Sequence, residues 1–167
     1  MENRKSSKIM DYKEALQYAM RLCAAREMCK SDIIKKVCLK GLDVVTAEKI
    51  ILELEKGRFI DEYRYTRAFV NDKVKFSRWG VQRIKQTLQQ KGISKAVIIE
   101  VCQGVEGDLL FQNGLKLAQA KLKSIRNDKP LSQQRKIYNL LLYRGYDVNM
   151  IWRIIRELKI KSEEETD

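Results

Sequence analysis

The sequence predicts an all-α protein, an elongated tandem array of three three-helix repeats, and three observations predict it. One proline and eight glycines in 167 residues leave little material for a loop-rich β architecture. Residues 33–54, "IIKKVCLKGLDVVTAEKIILEL", line up with 84–101, "IKQTLQQKGISKAVIIEV", and with 137–158, "IYNLLLYRGYDVNMIWRIIREL". Ahead of each of these pairs of helices runs one further helical segment, over 11–26, 61–76 and 109–125.

The repeats are anchored on Gly41, Gly92 and Gly145, each preceded by a cation, Lys40, Lys91 or Arg144. A glycine there ends a helix in a left-handed conformation without a Cβ penalty, and the cation suits the negative helix end. Apolar residues recur at shared offsets: Val37, Leu88 and Leu141 four before, Leu42, Ile93 and Tyr146 one after, and Ile50, Val101 and Ile154 nine after.

In chain order, the first unit (11–60) has its second helix starting near Ser31 and its third capped by Thr46. The second unit (61–105) has Ser77 before its second helix and Ser94 before its third. The third (106–160) uses Ser132 and Asp147 in the same places. Residues 1–10 and the acidic tail 161–167 fall outside the units and are expected to be disordered.

The stretch 54–80, "LEKGRFIDEYRYTRAFVNDKVKFSRWG", holds six of the thirteen aromatics. Wound as a helix, 61–76 places Tyr65, Ala68, Phe69 and Phe76 on one stripe and Tyr63, Val70 and Val74 nearly opposite. Two apolar faces imply burial on two sides, one in the module's own core and one against the preceding module. Trp79, beside Gly80 at a helix start, reads equally as an exposed anchor or a buried staple.

The whole chain carries 34 Lys and Arg against 22 Asp and Glu, a net charge of +12. From 64 to 95 nine cations face Asp72 alone, so two-thirds of the net charge sits in the middle unit. Such a surface favours polyanions or acidic protein partners. Arg64, Asn71 and Lys75 share one side of the helix, with Arg78 close by. The expected contact set is Arg64, Arg67, Asn71, Lys75, Arg78, Arg83 and Lys85, with Lys91 and Arg144 secondary.

Chemistry is not expected. The chain has no histidine, the commonest general base, and no Walker loop or G-x-G-x-x-G. Cys23, Cys29, Cys38 and Cys102 form no C-x-x-C pair and read as buried thiols, so neither a metal nor another cofactor is expected. No run is long enough to span a membrane, and no signal peptide follows the charged start, which makes the cytoplasm the default. A repeat array needs no partner to close it, so a monomer is expected.

The strings "GRFIDEYRYTRAFVNDKV" (57–74) and "SRWGVQRIKQTLQQKGI" (77–93) resemble the RecX family of bacterial recombination regulators. The segment 15–42 supports this, and the third unit fits by pattern. The resemblance implies a non-enzymatic modulator that binds the RecA filament on single-stranded DNA, lies in its helical groove, and suppresses its ATPase and strand exchange. It also implies direct DNA binding. Two other classes fit the residues themselves. A helix-turn-helix transcription factor would place a basic helix in a major groove of duplex DNA. A pure protein adaptor would meet DNA only through nonspecific charge.

Overall fold

The computed structural model describes residues 10–160. The expected disorder of 1–9 and of the tail 161–167 concerns residues outside that range. Met10, placed with the disordered segment, is tied down by its N–H, which donates to the Lys40 carbonyl at 3.2 Å.

The described residues are all-helical between turns: α1 Tyr12–Ala25, α2 Lys30–Cys38, α3 Val44–Lys56, α4 Glu62–Lys75, α5 Val81–Gln90, α6 Lys95–Gln103, α7 Gly107–Ser124, α8 Pro130–Arg144 and α9 Val148–Glu157. They pack as three sets of three. Ile33, Val37, Ile50 and Leu54 centre the first core, Ile84, Leu88 and Ile98 the second, and Ile137, Leu141, Ile151 and Ile154 the third. Each such side chain, fully buried, contributes about 1.5–3 kcal/mol of hydrophobic transfer. The shared apolar offsets explain this repetition: Val37, Leu88 and Leu141 are all fully buried.

Gly41, Gly92 and Gly145 take φ of 96°, 80° and 88°, the left-handed turn their position after a cation implies. Three cations do similar work without glycine's freedom. Arg58, Arg78 and Lys159, just past the ends of α3, α4 and α9, have φ of 55°, 52° and 47°.

The capping residues differ in part from expectation. Asp43, not Thr46, caps α3: the Thr46 N–H and hydroxyl both donate to its carboxylate at 2.8 Å. A D-x-x-T spacing offers two cap formers, and the longer reach of the aspartate from the first position takes both donors. Asp11, Asp61 and Asp147 cap α1, α4 and α9 through bonds from Glu14, Arg64 and Met150. Ser94 holds the N-cap position of α6, but its own N–H donates to Glu62 and its side chain caps nothing. The second helices start at Cys29, Gly80 and Lys129 as N-caps, so Ser31 and Ser132 lie inside the first turn and Ser77 lies ahead of it.

On α4 the buried face is formed by Tyr65, Thr66, Val70 and Val74, with Phe69 half-buried. Ala68 is exposed, and Phe76 is 79% exposed. The helix ends at Lys75, so Phe76 as C-cap leaves the stripe a continued helix would give it. Trp79 lands between the two readings: half-buried, edge-on to Phe69 at 6.4 Å, and covered by the Lys73 ammonium and the Arg83 guanidinium. Cys29 and Cys102 are buried, as the thiols were expected to be, but Cys23 and Cys38 are only half-buried; all four are free.

Two joints connect the modules, and they differ in chemistry. Between the first and second, Ser31 Oγ donates to the Lys91 carbonyl at 2.9 Å, and Lys91 Nζ meets both oxygens of Asp32 at 2.8 and 2.7 Å. Arg64 Nε donates to Glu27 at 2.7 Å, and Cys29 enters the second core. Between the second and third, backbone meets backbone: Gly80 N–H to the Arg144 carbonyl at 2.8 Å and Gln82 N–H to that of Gly145 at 3.0 Å. Asn113 Nδ2, buried, donates to the Val74 carbonyl at 2.9 Å, and the Tyr146 hydroxyl to that of Arg78 at 3.1 Å. Burial pushes the Tyr146 hydroxyl pKa up to about 12 and keeps it a donor.

Two carboxyls give the fold an acid limit. Burial, the largest single effect, would raise Asp32, but the hydrogen bonds from Lys91 and Cys29 together with the charges of Lys91 and Lys35 outweigh it and hold the group below 3.8; Asp43 is lowered first by the Thr46 backbone N–H. A depressed folded-state pKa contributes stability that is complete above the ordinary value and lost as pH falls through the folded one. Folding stability is therefore expected to decline as pH falls below 3.8. In Asp32→Asn and Asp43→Asn, acid titration followed by circular dichroism should be flatter there; unchanged curves would refute both assignments.

Candidate functional site

The nine residues expected to make contacts separate into distinct places. Arg67, Asn71 and Lys75 come together. They follow one another at i, i+4 and i+8 on α4 and line a groove of about 970 Å³ between α4 and α6. Among the described residues none of the three has an ion pair or a side-chain hydrogen bond, and all are exposed. Arg67 rather than Arg64 completes the stripe.

Arg64 turns away to the first joint, where Glu27 raises its pKa further and the carbonyls of Arg58 and Phe59 lie 3.4–3.5 Å from its guanidinium. Lys91 is at the same joint. Arg83 and Arg144 belong to the second joint. Arg83 lies 4.2 Å from the Trp79 ring centroid and 4.8 Å from that of Tyr143, a cation between two aromatic faces. Arg144 Nη1 donates to the Ser77 carbonyl at 3.0 Å. Arg78, exposed, and Lys85, half-buried on α5, do not line the groove, and the Arg78 charge acts on the Tyr146 hydroxyl at the second joint.

The groove has features the sequence reading missed. Its opposite wall is acidic, with Glu100 near the end of α6 and Glu106 at the N-cap of α7. Glu100 accepts a hydrogen bond from the Tyr63 hydroxyl, which raises that hydroxyl's pKa. The floor is apolar, from the buried Val70 and Val74 to the half-buried Val101 and Val105 and the exposed rim of Leu109. Val101 was legible only as a core position; its half-burial opens one side of it to the groove. Among the described residues no cluster of three or more His, Cys, Asp or Glu could hold a metal ion, and no helix is long and apolar enough to cross a membrane.

Residues 61–101 match the family description "RecX, second three-helix domain", and 108–155 match "RecX, third three-helix domain". Regulatory protein RecX of Clostridium botulinum (strain Eklund 17B / Type B) is 30% identical, over 93% of this chain and 75% of the relative. That of Clostridium botulinum (strain Alaska E43 / Type E3) is 33% identical, over 77% of this chain and 60% of the relative. The crystal structure of RecX from Lactobacillus salivarius superposes with a TM-score of 0.74 at 21% identity, covering 90% of this chain and 97% of that one. A second RecX crystal structure reaches 0.78 at 21% identity, covering 87% and 73%. These two share the fold, and the family matches fall on the second and third modules, which flank the second joint. The chain belongs to the RecX family of regulatory proteins.

Proposed function

We propose that this chain binds the RecA recombinase filament on single-stranded DNA and restrains its ATPase and strand exchange. It does so by binding, without chemistry of its own, as a monomer in the cytoplasm. Membership of the RecX family is the observation that carries the reading. A three-module array supports it physically, because modules in series can touch more than one protomer of a helical filament and add their contacts through effective concentration.

The proposed contact set is led by Arg67, Asn71 and Lys75, which have no competing partner within the described residues. Arg78 and Lys85 lie on the same module. Arg64, Lys91, Arg83 and Arg144 hold the joints and shape the surface through them.

The test is the single-stranded-DNA-dependent ATPase of RecA, titrated with this protein at physiological salt, beside a direct DNA-binding isotherm. Inhibition is expected below stoichiometric amounts, where bare DNA is hardly bound. An unchanged ATPase beside avid DNA binding would overturn the reading and move the function to direct DNA binding.

A further inference from the structure

We propose that the groove between α4 and α6 is a seat for a polypeptide, an amphipathic segment of the filament protein, and not a track for the DNA backbone. This rests on the functional reading above for the owner of the segment; the class of occupant comes from the groove itself.

Grooves that follow nucleic acid carry one sign of charge, because every nucleotide brings a phosphate. Here Arg67 and Lys75 face Glu100 and Glu106 across the groove. A phosphate chain drawn to the first wall is pushed back by the second, and the carboxylates are as exposed as the cations. Nor is the floor a base-stacking platform. Val101 and Leu109 offer aliphatic surface, and the one aromatic at the edge, Tyr63, is engaged with Glu100.

An amphipathic helix fits all three surfaces at once. Its apolar anchors, at i, i+3 or i+4 and i+7, fill the floor. Acidic side chains along one edge meet Arg67 and Lys75, and basic or amide side chains along the other meet Glu100 and Glu106. A groove of about 970 Å³ holds a few anchoring side chains. It is the centre of an interface rather than the whole of one. Opposed charges on the two walls also fix the direction in which the helix lies.

The experiment uses the full chain, a RecA filament on single-stranded DNA, and a bare oligothymidylate as separate probe. Glu100→Lys/Glu106→Lys makes both walls cationic. Leu109→Glu places a carboxylate on the floor at a first-turn position that suits an acid. Both variants are expected to lose at least tenfold in potency against the RecA ATPase. Oligothymidylate affinity should stay level for Leu109→Glu and stay level or rise for Glu100→Lys/Glu106→Lys. A double-lysine variant that inhibits as well as or better than the wild type would overturn the proposal. So would a Leu109→Glu variant of full potency. Arg67→Glu/Lys75→Glu, confined to exposed positions, provides a second check: it should lose inhibition, and retained potency would refute the seat. Failure of the functional reading would appear in the wild type, as an unaffected ATPase. Failure of the groove alone would appear only in the variants.

Discussion

Replacing Gly80 by alanine is expected to lower the melting temperature by about 10 °C, from a loss of about 3 kcal/mol in a chain of this size. A Cβ at Gly80 would stand 2.2 Å from the carbonyl oxygen of Gly145 and 2.4 Å from the nitrogen of Tyr146. Both obstacles are backbone, so no rotamer change relieves them. The modules must part, and the Gly80–Arg144 and Gln82–Gly145 backbone bonds go with them. Gly145→Ala meets the reverse face of the same contact, 2.4 Å from Arg83 Cβ, with left-handed strain added. Gly92→Ala is the control. It has the same kind of backbone, φ 80°, with nothing within 4 Å, so strain alone remains, about 1 kcal/mol. Thermal denaturation of the three variants separates the effects. A Gly80→Ala protein that melts with Gly92→Ala would mean that the two modules are not held in backbone contact.

The contrast among these glycines marks what was legible. Their left-handed turns could be read because a cation followed by glycine, set within repeated apolar offsets, has a local cause. That Gly145 also presses on Gly80 could not, because the contact joins residues 65 apart in the chain with no periodic trace. Arg58, Arg78 and Lys159 take the same backbone region with a Cβ, against residue preference, with local helix-end hydrogen bonds such as Phe59 N–H to the Leu54 carbonyl and Trp79 N–H to that of Lys73 closing the turns. The basic stripe on α4 was visible as a helical face. Its choice of Arg67 over Arg64 depended on Glu27, a residue of another module. The acidic wall was hidden for the same reason: Glu100 lies on α6 of the same module and Glu106 at the start of the third, and both meet α4 only when the modules are folded and docked.

Reversing the charge at Asp32 is expected to uncouple the first module while leaving the other two joined. In Asp32→Lys, the Lys91 ammonium would lose its two carboxylate contacts and face a second ammonium. Both native side chains are about three-quarters buried, at 24% and 28% exposure, so the penalty is about 2 kcal/mol, short of that for a fully buried pair. In an array whose stability is a sum of modules and interfaces, that loss falls on the module at the broken joint. Amide hydrogen exchange in α1, α2 and α3 should accelerate by roughly 30-fold, with α7, α8 and α9 unchanged. Equal acceleration in every helix from α1 to α9, or in none of them, would refute the division. The charge swap Asp32→Lys/Lys91→Asp should restore most of the protection, since it returns an opposite pair to the same place. Because the first joint includes the more exposed Arg64–Glu27 pair and the second is held mainly by apposed backbone, the first should loosen more than the second as salt rises.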